Sequence, residues 1–576
     1  MVHAPLDAQP SAAGGGYAGR PWLTLYRAGQ PSDFDPEHAN LLEMFAAAVR
    51  RAPDQDAIRY FDGAVTVAEL DAASDALAAA LQQRGFGPGE RLALYMQNDP
   101  AFVVGMLATW KAGGIAVSVN PMYKERELRH VLADSGAVAL LCLDELHPVV
   151  QRVLAAGDLA VPTVVTFSGL DGQTRNDPRV FPSAVRRSVE GTLDLPELLA
   201  AHAGRRPAPV APAPDDPAFL VYTSGTTGDP KGAVLTHRNF VFNAQTYREW
   251  MELAPGEGIL GLAPLFHITG LVGHGVLALL LPAPLVLTHR FDPAVMLDAV
   301  REHRPTFTIG AITAFIAMAG VPGVGPEDFR SLTKVYSGGA PIAPAVAARL
   351  EEQFGRYIHN AYGLTETSSA THAVPPGRRA PVDPTSGALS IGVPVASVHA
   401  RIVDENHADL PAGEVGELLI AGPQVAEGYW GRPEASATAF PGGELRTGDV
   451  GFMDPDGWFN LVDRKKDRII AAGYTVWPRE VEDVLYGHPS VREAAVVGVP
   501  DDYRGETVHA YVSLEPGAGV DIQELIDFCR ERMAAYKYPR VVHLVDELPK
   551  TASGKILRRE LRSTPPHPNG APRPSQ

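Results

Sequence analysis

Cysteine is nearly absent from this sequence, since only Cys142 and Cys529 occur in 576 residues. Two cysteines are too few for a disulfide framework, and they lack the paired spacing of a zinc site. Disulfide-rich secreted folds and cysteine-ligated zinc modules are therefore excluded. A reducing compartment, the cytoplasm, is expected.

Positive charge is also in short supply, with 50 Lys and Arg residues against 67 Asp and Glu and a formal net charge of -17. The average surface therefore repels a polyanion such as duplex DNA. No nucleic-acid partner is expected. Any anionic ligand has to be held by local features of the chain.

Long hydrophobic runs are missing as well. The most apolar segment, GVLALLLPAPLVL from Gly275 to Leu287, contains two prolines and is shorter than the roughly 20 residues of a membrane helix. The first residues, MVHAPLDAQPSAAGGGYAG, lack the basic and apolar regions of a signal peptide. No integral membrane segment is expected, and residues 1–35 are predicted to form a flexible tail.

The composition that remains is that of a large globular protein, with 45% hydrophobic and 20% charged residues. A capping box, Thr66 with Glu69, opens a helix with apolar residues at helical spacing. Strand-like and helix-like segments alternate from there to about residue 150 and again from 215 to about 360. This alternation predicts an α/β fold with two doubly wound parallel sheets.

The pattern changes past residue 380, where short strands and turns predict a small β subdomain, and again past residue 467, where a mixed α+β tail begins. A chain of this length is expected to form more than one domain. The predicted domains are a large N-terminal domain at 36–463, a hinge at 464–467, a small mobile C-terminal domain at 468–562 and a disordered tail at 563–576.

The segment YTSGTTGDPKG, from Tyr222 to Gly232, carries the strongest chemical signal. A strand runs into a loop of glycines and hydroxyls, whose backbone N–H groups can point together at an anion, and Lys231 adds a positive charge. The common nucleotide loop does not fit, because Pro230 precedes the lysine and Gly232 follows it. The pattern predicts a phosphate site of another kind.

This segment resembles the phosphate loop of the adenylate-forming enzymes, which include acyl-CoA synthetases, peptide-synthetase adenylation domains and luciferases. Further segments are similar to motifs of the same family, in the same order, and the resemblance spans about residues 40 to 562. These segments are SGGAPI at Ser337–Ile342, NAYGLTET at Asn360–Thr367, LRTGD at Leu445–Asp449, DRKKDRI at Asp463–Ile469 and PKTASGKILRREL at Pro549–Leu561.

The resemblance implies ATP, Mg²⁺ and coenzyme A as partners and assigns a role to each matching residue. The implied catalytic residues are Lys555, Glu366, Thr365 and Lys231, with Glu366 and Thr223 at the metal. The implied nucleotide-binding residues are Thr223, Ser224, Gly225, Thr226, Thr227, Gly228, Lys231, Gly339, Ala340, Pro341, Ala361, Tyr362, Gly363, Thr365, Asp449, Arg464 and Lys555. The implied hinge and CoA residues are Lys466, Gly473 and Tyr474.

Each implied role has a physical reason. Attack of a carboxylate on the α-phosphate brings two anions together, so cations such as Mg²⁺ and Lys555 lower the barrier. Glu366 supplies the hard oxygen that magnesium prefers. Taken alone, a Glu at a strand end is a solvated charge and an Asp in a T-G-D turn is a turn former. Together with Arg464, the aspartate becomes a ribose clamp.

The acid is expected to enter a pocket lined by His267, Gly270, Ile312, Gly338 and Gly363. Amino-acid-activating members carry an Asp where this chain has His267, so α-amino acids are disfavoured because a buried ammonium would lack a partner. Acetate-type members carry a Trp at Gly363, so an open pocket is predicted. With Gly273 and Gly275, Gly270 is expected to leave a deep apolar slot.

A medium- or long-chain fatty acid fits this pocket, with an aryl acid such as a cinnamate or benzoate as the alternative. The expected activity is formation of acyl-AMP and then of acyl-CoA. A stand-alone enzyme that delivers its acyl-AMP to a carrier protein or to oxygen, and a non-catalytic nucleotide-binding protein, are competing hypotheses. A homodimer and peripheral membrane attachment stay open.

Overall fold

The computed structural model describes residues 16–181, 183, 185–223, 230–384, 387–464, 467–471, 474–501, 504–551 and 554–563. The α-helices in this part of the chain are α1 Leu41–Arg51, α2 Val67–Gln82, α3 Pro100–Lys111, α4 Glu125–Ser135, α5 His147–Leu154, α6 Leu195–Ala201, α7 His237–Trp250, α8 Ile268–Gly270, α9 Leu277–Leu280, α10 Pro293–His303, α11 Ile312–Ala319, α12 Pro344–Phe354, α13 Pro433–Ala439, α14 Pro478–Tyr486, α15 Ile522–Arg532 and α16 Arg558–Ser563.

The strands are β1 Asp56–Tyr60, β2 Gly63–Thr66, β3 Arg91–Tyr95, β4 Ile115–Val119, β5 Ala139–Leu143, β6 Thr163–Phe167, β7 Leu193–Asp194, β8 Pro217–Tyr222, β9 Gly232–Thr236, β10 Ile259–Leu260, β11 Leu285–Leu287, β12 Phe307–Gly310, β13 Lys334–Ser337, β14 His359–Leu364, β15 Ser369–Ala373, β16 Val393–Pro394, β17 His399–Val403, β18 Gly416–Ala421, β19 Gly428–Tyr429, β20 Leu445–Met453, β21 Phe459–Arg464, β22 Ile469–Ala471, β23 Tyr474–Val476, β24 Val491–Asp501, β25 Gly505–Leu514 and β26 Val541–Leu544.

Two largely parallel sheets form the body of the molecule. One has the order β19-β9-β8-β4-β3-β5-β6-β7 and the other β16-β15-β14-β13-β12-β10-β11-β1-β2, with antiparallel strands at their edges. The central strands are buried on both faces because helices cover them, as the alternating sequence pattern predicts. The predicted α/β class with two doubly wound sheets is confirmed.

Helix α2 shows that local signals in the sequence are realised. The Thr66 hydroxyl accepts a hydrogen bond from the Glu69 N–H at 3.2 Å, and the Glu69 carboxylate accepts one from the Thr66 N–H at 2.8 Å. This reciprocal pairing is the predicted capping box.

The predicted small β subdomain is the antiparallel sheet β17-β18-β20-β21. The chain then leaves β21 at Arg464 and enters another sheet at Ile469, where β23-β22-β25-β24 pair antiparallel and β26 runs parallel to β25. Helices α14 and α15 pack with this last sheet. The α+β character of the C-terminal region is confirmed.

The N-terminal segment differs from the prediction of a flexible tail at 1–35, because its described part packs on the body of the protein. Trp22 is 1% exposed and meets Phe459 edge to face, with 5.8 Å between ring centroids. The Tyr26 hydroxyl donates to the Pro394 carbonyl at 2.7 Å. Two aromatic anchors bury enough apolar area to fix a segment whose regular structure is one short 3₁₀ helix, Pro21–Leu25.

Among the described residues, no helix is long and apolar enough to cross a membrane. Cys142 and Cys529 form no disulfide, and both are buried as free thiols.

Candidate active site

A cavity of about 640 Å³ opens where several parallel strands end. Thr223 follows β8, Ala311 follows β12 and Gly338 follows β13, and all of them line it. The carboxyl ends of strands are the usual place for a ligand in a sheet of this type. The predicted site residues that line the cavity are Thr223, Lys231, His267, Gly338, Gly339, Ala361, Tyr362, Gly363, Thr365, Glu366, Arg464 and Lys555.

The two ends of the predicted phosphate loop meet at the cavity. The Thr223 N–H donates to the Lys231 carbonyl at 2.9 Å, and the Lys231 ammonium lies 5.1 Å from the centroid of the Tyr429 ring. The cation is therefore held over an aromatic face beside the cavity. The loop residues that lie outside the described part of the chain are Ser224, Gly225, Thr226, Thr227 and Gly228.

Glu366 lies in a short 3₁₀ turn that begins at Thr365, and its carboxylate faces the cavity. The Tyr429 hydroxyl donates to its Oε1 at 2.7 Å. Burial and this carboxylate raise the pKa of Tyr429, so the phenol stays a neutral donor. No described residue donates a hydrogen bond to Oε2 of Glu366, so this atom can bind a hard cation such as Mg²⁺.

No cluster of three or more His, Cys, Asp or Glu residues in the described ranges could hold a metal ion by itself. Magnesium typically takes only one or two carboxylates and completes its shell with phosphate oxygens and water. One carboxylate beside a phosphate loop therefore fits magnesium.

Asp449, Tyr362 and Arg464 form a cluster under the cavity. The Tyr362 hydroxyl donates to Oδ2 of Asp449 at 2.6 Å, and Nε of Arg464 lies 3.1 Å from Oδ1. Burial and the aspartate keep the pKa of Tyr362 well above its usual value, and the aspartate raises the pKa of Arg464. Asp449 does not itself line the cavity, whereas both of its partners do.

Lys555 reaches the cavity on a tight turn of the C-terminal region. The Thr551 N–H donates to the Lys555 carbonyl at 2.7 Å, and the Lys555 N–H donates to the Thr551 hydroxyl at 3.0 Å. Gly554 has φ +83, and its carbonyl accepts a hydrogen bond from the Thr313 hydroxyl at 3.1 Å. This bond ties the turn to α11 of the large domain.

His267 is half-buried, and it lines the cavity together with Lys555. Its Nδ1 accepts a hydrogen bond from the Thr269 N–H at 3.4 Å. Burial, together with the positive charge of Lys555, lowers the pKa of His267 to about 4. The ring is therefore neutral near pH 7, with its proton on Nε2 and available as a donor.

The prediction that Gly270, Gly273 and Gly275 leave an open slot is wrong. A Cβ on Gly270 would lie 2.2 Å from the Pro264 carbonyl oxygen, and one on Gly273 would lie 3.0 Å from Ile309. None of the three lines the cavity. At Gly270 and Gly273 the missing side chains allow close packing against neighbouring residues, which leaves no space for a ligand there. A Cβ on Gly275 would meet only ordinary van der Waals contacts.

Gly363 needs a related correction. It lines the cavity, but a Cβ there would lie 1.8 Å from the Ser369 carbonyl oxygen on the paired strand β15. A tryptophan at 363 would therefore displace this strand before it could fill the pocket. The space for an acyl group comes instead from small side chains, because Ala311, Ala314 and Ala317 face the cavity.

Other predicted residues lie outside the lining. Ile312 is buried in the core while Ala311 and Thr313 beside it line the cavity, so the expectation that it faces the acid is wrong. Tyr474 is 58% exposed and stacks on Tyr536 at 4.6 Å between centroids. Predicted residues that do not line the cavity are Ala340 and Pro341. Those that lie outside the described residues are Lys466 and Gly473.

Several lining residues were not predicted. Tyr429, which contacts both Lys231 and Glu366, precedes a tryptophan in EGYWGR, a segment without a local signal for nucleotide chemistry. Tyr247 and Ser369 come from distant segments, and only the fold brings them together. The Thr313 hydroxyl contacts the turn that carries Lys555, although in the sequence Thr313 looks like an ordinary helix position.

Comparison with known proteins agrees with this arrangement. A model of the AMP-binding enzyme family matches residues 45–430, and a model of the AMP-binding enzyme C-terminal domain matches residues 480–555. The long-chain-fatty-acid–CoA ligase of Bacillus subtilis is 36% identical over 565 residues, which cover 94% of this chain and 97% of the relative. The feruloyl-CoA synthase of an Amycolatopsis species is 38% identical over 514 residues, covering 89% and 96%.

Among solved structures, an anthranilate CoA ligase in complex with anthranoyl-AMP superposes with a TM-score of 0.81 at 28% identity, covering 92% of this chain and 97% of the other. The first family model alone spans most of the chain. With a nucleotide cavity built from the predicted motifs, the chain belongs to the AMP-binding enzyme family of acid–thiol ligases.

Proposed function

We propose that this protein converts a medium- or long-chain fatty acid, ATP and coenzyme A into acyl-CoA, AMP and pyrophosphate through a bound acyl-AMP. A carboxylate oxygen attacks the α-phosphorus, and the bond between that phosphorus and the pyrophosphate oxygen breaks. The CoA thiolate then attacks the acyl carbonyl, and AMP leaves. The observation that carries this proposal is the convergence of Lys555, His267, Glu366 and the Asp449 cluster on one cavity.

Lys555 is the cation that neutralises the two meeting anions in the first step. Its turn is fixed by Thr551 within the C-terminal region and by Thr313 across the domain junction, which limits the positions its ammonium can take. His267, neutral and with its proton on Nε2, donates a hydrogen bond to the acid without adding charge. The two residues divide charge and orientation between them.

The phosphate end of the cavity holds the rest of ATP. Lys231 and the backbone of the loop that it closes bind the phosphates. A bound Mg²⁺ would neutralise charge on the phosphate oxygens and would be held by Glu366, with Thr223 beside it. Asp449 accepts hydrogen bonds from the ribose hydroxyls, and its contacts with Tyr362 and Arg464 fix its orientation.

The fatty acid is favoured by the apolar part of the cavity lining. Ala314 and Ala317 lie three residues apart on α11 and share a face, and with Ile309 and Leu262 they present methyl-lined space. An alkyl chain gains roughly 0.8 kcal/mol for each buried methylene on such a surface. The similarity to long-chain-fatty-acid–CoA ligases supports the same class of acid.

An aryl acid is the second candidate. The feruloyl-CoA synthase relative is 38% identical, although over a shorter alignment than the fatty-acid ligase, and the anthranilate CoA ligase structure holds an aromatic adenylate. Ile268 and the α11 alanines Ala314 and Ala317 supply apolar surface that a planar ring can also contact.

For the second step we propose that the C-terminal domain turns about Lys466 and presents Gly473 and Tyr474 to the pantetheine arm, as in the family.

Free buried thiols at both cysteines support a cytoplasmic site of action.

A panel of acids with Ala314 varied tests the acyl assignment. We expect decanoate to drive AMP formation in the native protein. Ala314→Phe should shift the preference towards shorter acids, because a phenyl ring fills the methyl-lined space. Ala348→Phe on the exposed face of α12 is the control and should leave the preference unchanged. Stimulation by aromatic acids alone would favour the second candidate.

A further inference from the structure

Two hydroxyl groups face each other in the wall of the cavity. Tyr247 on α7 and Ser369 at the start of β15 lie with their oxygens 2.8 Å apart, and both line the cavity. Tyr247 is 1% exposed and Ser369 is 4% exposed. Ile309, which packs with Tyr247 around Gly273, and Ala370, which follows Ser369, are aliphatic and also line the cavity.

The fold holds this pair rigidly. On α7, Asn243 lies one turn before Tyr247, and its Nδ2 donates to the Ser368 carbonyl at 2.7 Å. Ser368 and Ser369 have φ of 50 and 98, a left-handed conformation that costs serine energy and that the surrounding contacts have to maintain. Gly273 lets the Tyr247 ring approach within 3.1 Å of the place a Cβ would occupy.

One hydrogen-bond donor of the pair has no acceptor. Two hydroxyls carry two O–H groups, and either oxygen can donate to the other, so one O–H is always left over. No other described residue accepts a hydrogen bond from Tyr247 or Ser369. Burial raises the pKa of Tyr247 to about 12, so the phenol keeps its proton near pH 7. Such a donor costs roughly 1–3 kcal/mol once a ligand excludes water from it without accepting its hydrogen bond.

We propose that the Tyr247–Ser369 pair is a specificity determinant that hydrogen-bonds a hydroxyl or carbonyl substituent on the hydrophobic part of the acid. This inference rests on the proposed acid–CoA ligase function. It adds that acids with such a substituent react in preference to their unsubstituted analogues. A substituent that accepts the remaining O–H relieves the buried unpaired donor, whereas a plain alkyl or phenyl group leaves it unpaired.

Matched pairs of acids test the proposal with the full chain. Suitable pairs are decanoate against its monohydroxy isomers and cinnamate against 4-hydroxycinnamate, compared by kcat/KM for pyrophosphate release. In the native protein at least one substituted acid should exceed its parent by about tenfold or more. Tyr247→Phe keeps the ring but removes a hydroxyl, so the ratio should fall to within about threefold of one.

Two further variants separate recognition from folding. Ser369→Gly removes the other hydroxyl and suits the positive φ, so it should reduce the ratio as Tyr247→Phe does. Tyr336→Phe changes a similarly buried tyrosine on β13, in the sheet that contains Ser369, that does not line the cavity, and it should preserve the native ratio. A merely structural role for the pair predicts lower stability without a change in the ratio.

Ratios near one for every pair in the native protein would overturn the proposal, as would a native ratio retained in both Tyr247→Phe and Ser369→Gly. If no acid released pyrophosphate, the proposed function would fail, and thermal shift with the same acids would then decide the contact. The substituted acid should raise the Tm of the native protein more than its parent does. Equal shifts would overturn the inference.

Discussion

Removal of the Lys555 ammonium should slow acyl-AMP formation and leave thioester formation nearly unchanged. A unit charge about 4 Å from a negative oxygen, at an effective dielectric constant of about 20, contributes roughly 4 kcal/mol, or about a thousandfold in rate. Lys555 lines the cavity, and its charge adds to the effect of burial in lowering the pKa of His267. Lys555→Ala should therefore slow acyl-AMP formation by a hundredfold to a thousandfold, in line with losses from removed charge stabilisation.

The assay follows each half-reaction separately. Pyrophosphate release from acid and ATP reports the first step, and thioester formation from chemically supplied acyl-AMP and CoA reports the second. Lys555→Ala should impair the first step and leave the second within about threefold of the native rate. Arg530→Ala, which removes an exposed positive charge from α15 of the same domain, is the control and should change neither rate. Equal loss in both steps would refute the assigned role.

Three further predictions follow from the geometry. Gly554→Ala places a Cβ 2.4 Å from the Thr313 hydroxyl of the large domain and should impair acyl-AMP formation. Gly517→Ala, at a similar positive φ but with nothing within 4 Å of the new Cβ, should not impair it. Equal losses in both variants would show that only backbone strain matters. Tyr362→Phe removes the hydrogen bond that Asp449 accepts from the Tyr362 hydroxyl, and it should raise the KM for ATP about tenfold when measured at saturating acid. An unchanged KM would contradict the role of Asp449 in binding the ribose. The pKa of His267 is about 4 in the folded protein against about 6.5 in the unfolded chain, so the unfolded state binds the proton first and stability falls as pH drops from 6.5 towards 4. The Tm should therefore fall less between pH 7.5 and pH 5 in His267→Gln than in the native protein. An equal fall in both proteins would contradict a neutral His267 ring in the folded state.

Residues set by short motifs could be predicted from the sequence. Lys555 and Glu366 both line the cavity. Each belongs to a short motif that folds as a local turn, so the adjacent residues in the sequence indicate its position. The alternation of strands and helices likewise predicted the parallel sheets, since periodicity reflects burial.

Glycines and distant pairs could not be predicted in the same way. A missing side chain at Gly270 or Gly363 leaves open whether a ligand or a neighbouring backbone fills the space, and in both cases the backbone does. Tyr247 and Ser369 meet only after α7 packs on β15, so no spacing in the chain announces their contact. The packed segment around Trp22 was missed because its anchors are single aromatic residues in a polar stretch.

The central claim is that an acid is activated by adenylation and passed to CoA. It is tested most directly by incubating the purified chain with Mg·ATP and decanoate, with and without CoA, and measuring AMP, pyrophosphate and thioester together. Pyrophosphate release should depend on the acid. AMP should be released, together with a matching amount of acyl-CoA, only when CoA is present. Release of ADP in place of AMP, or AMP formation that is indifferent to CoA, would contradict it.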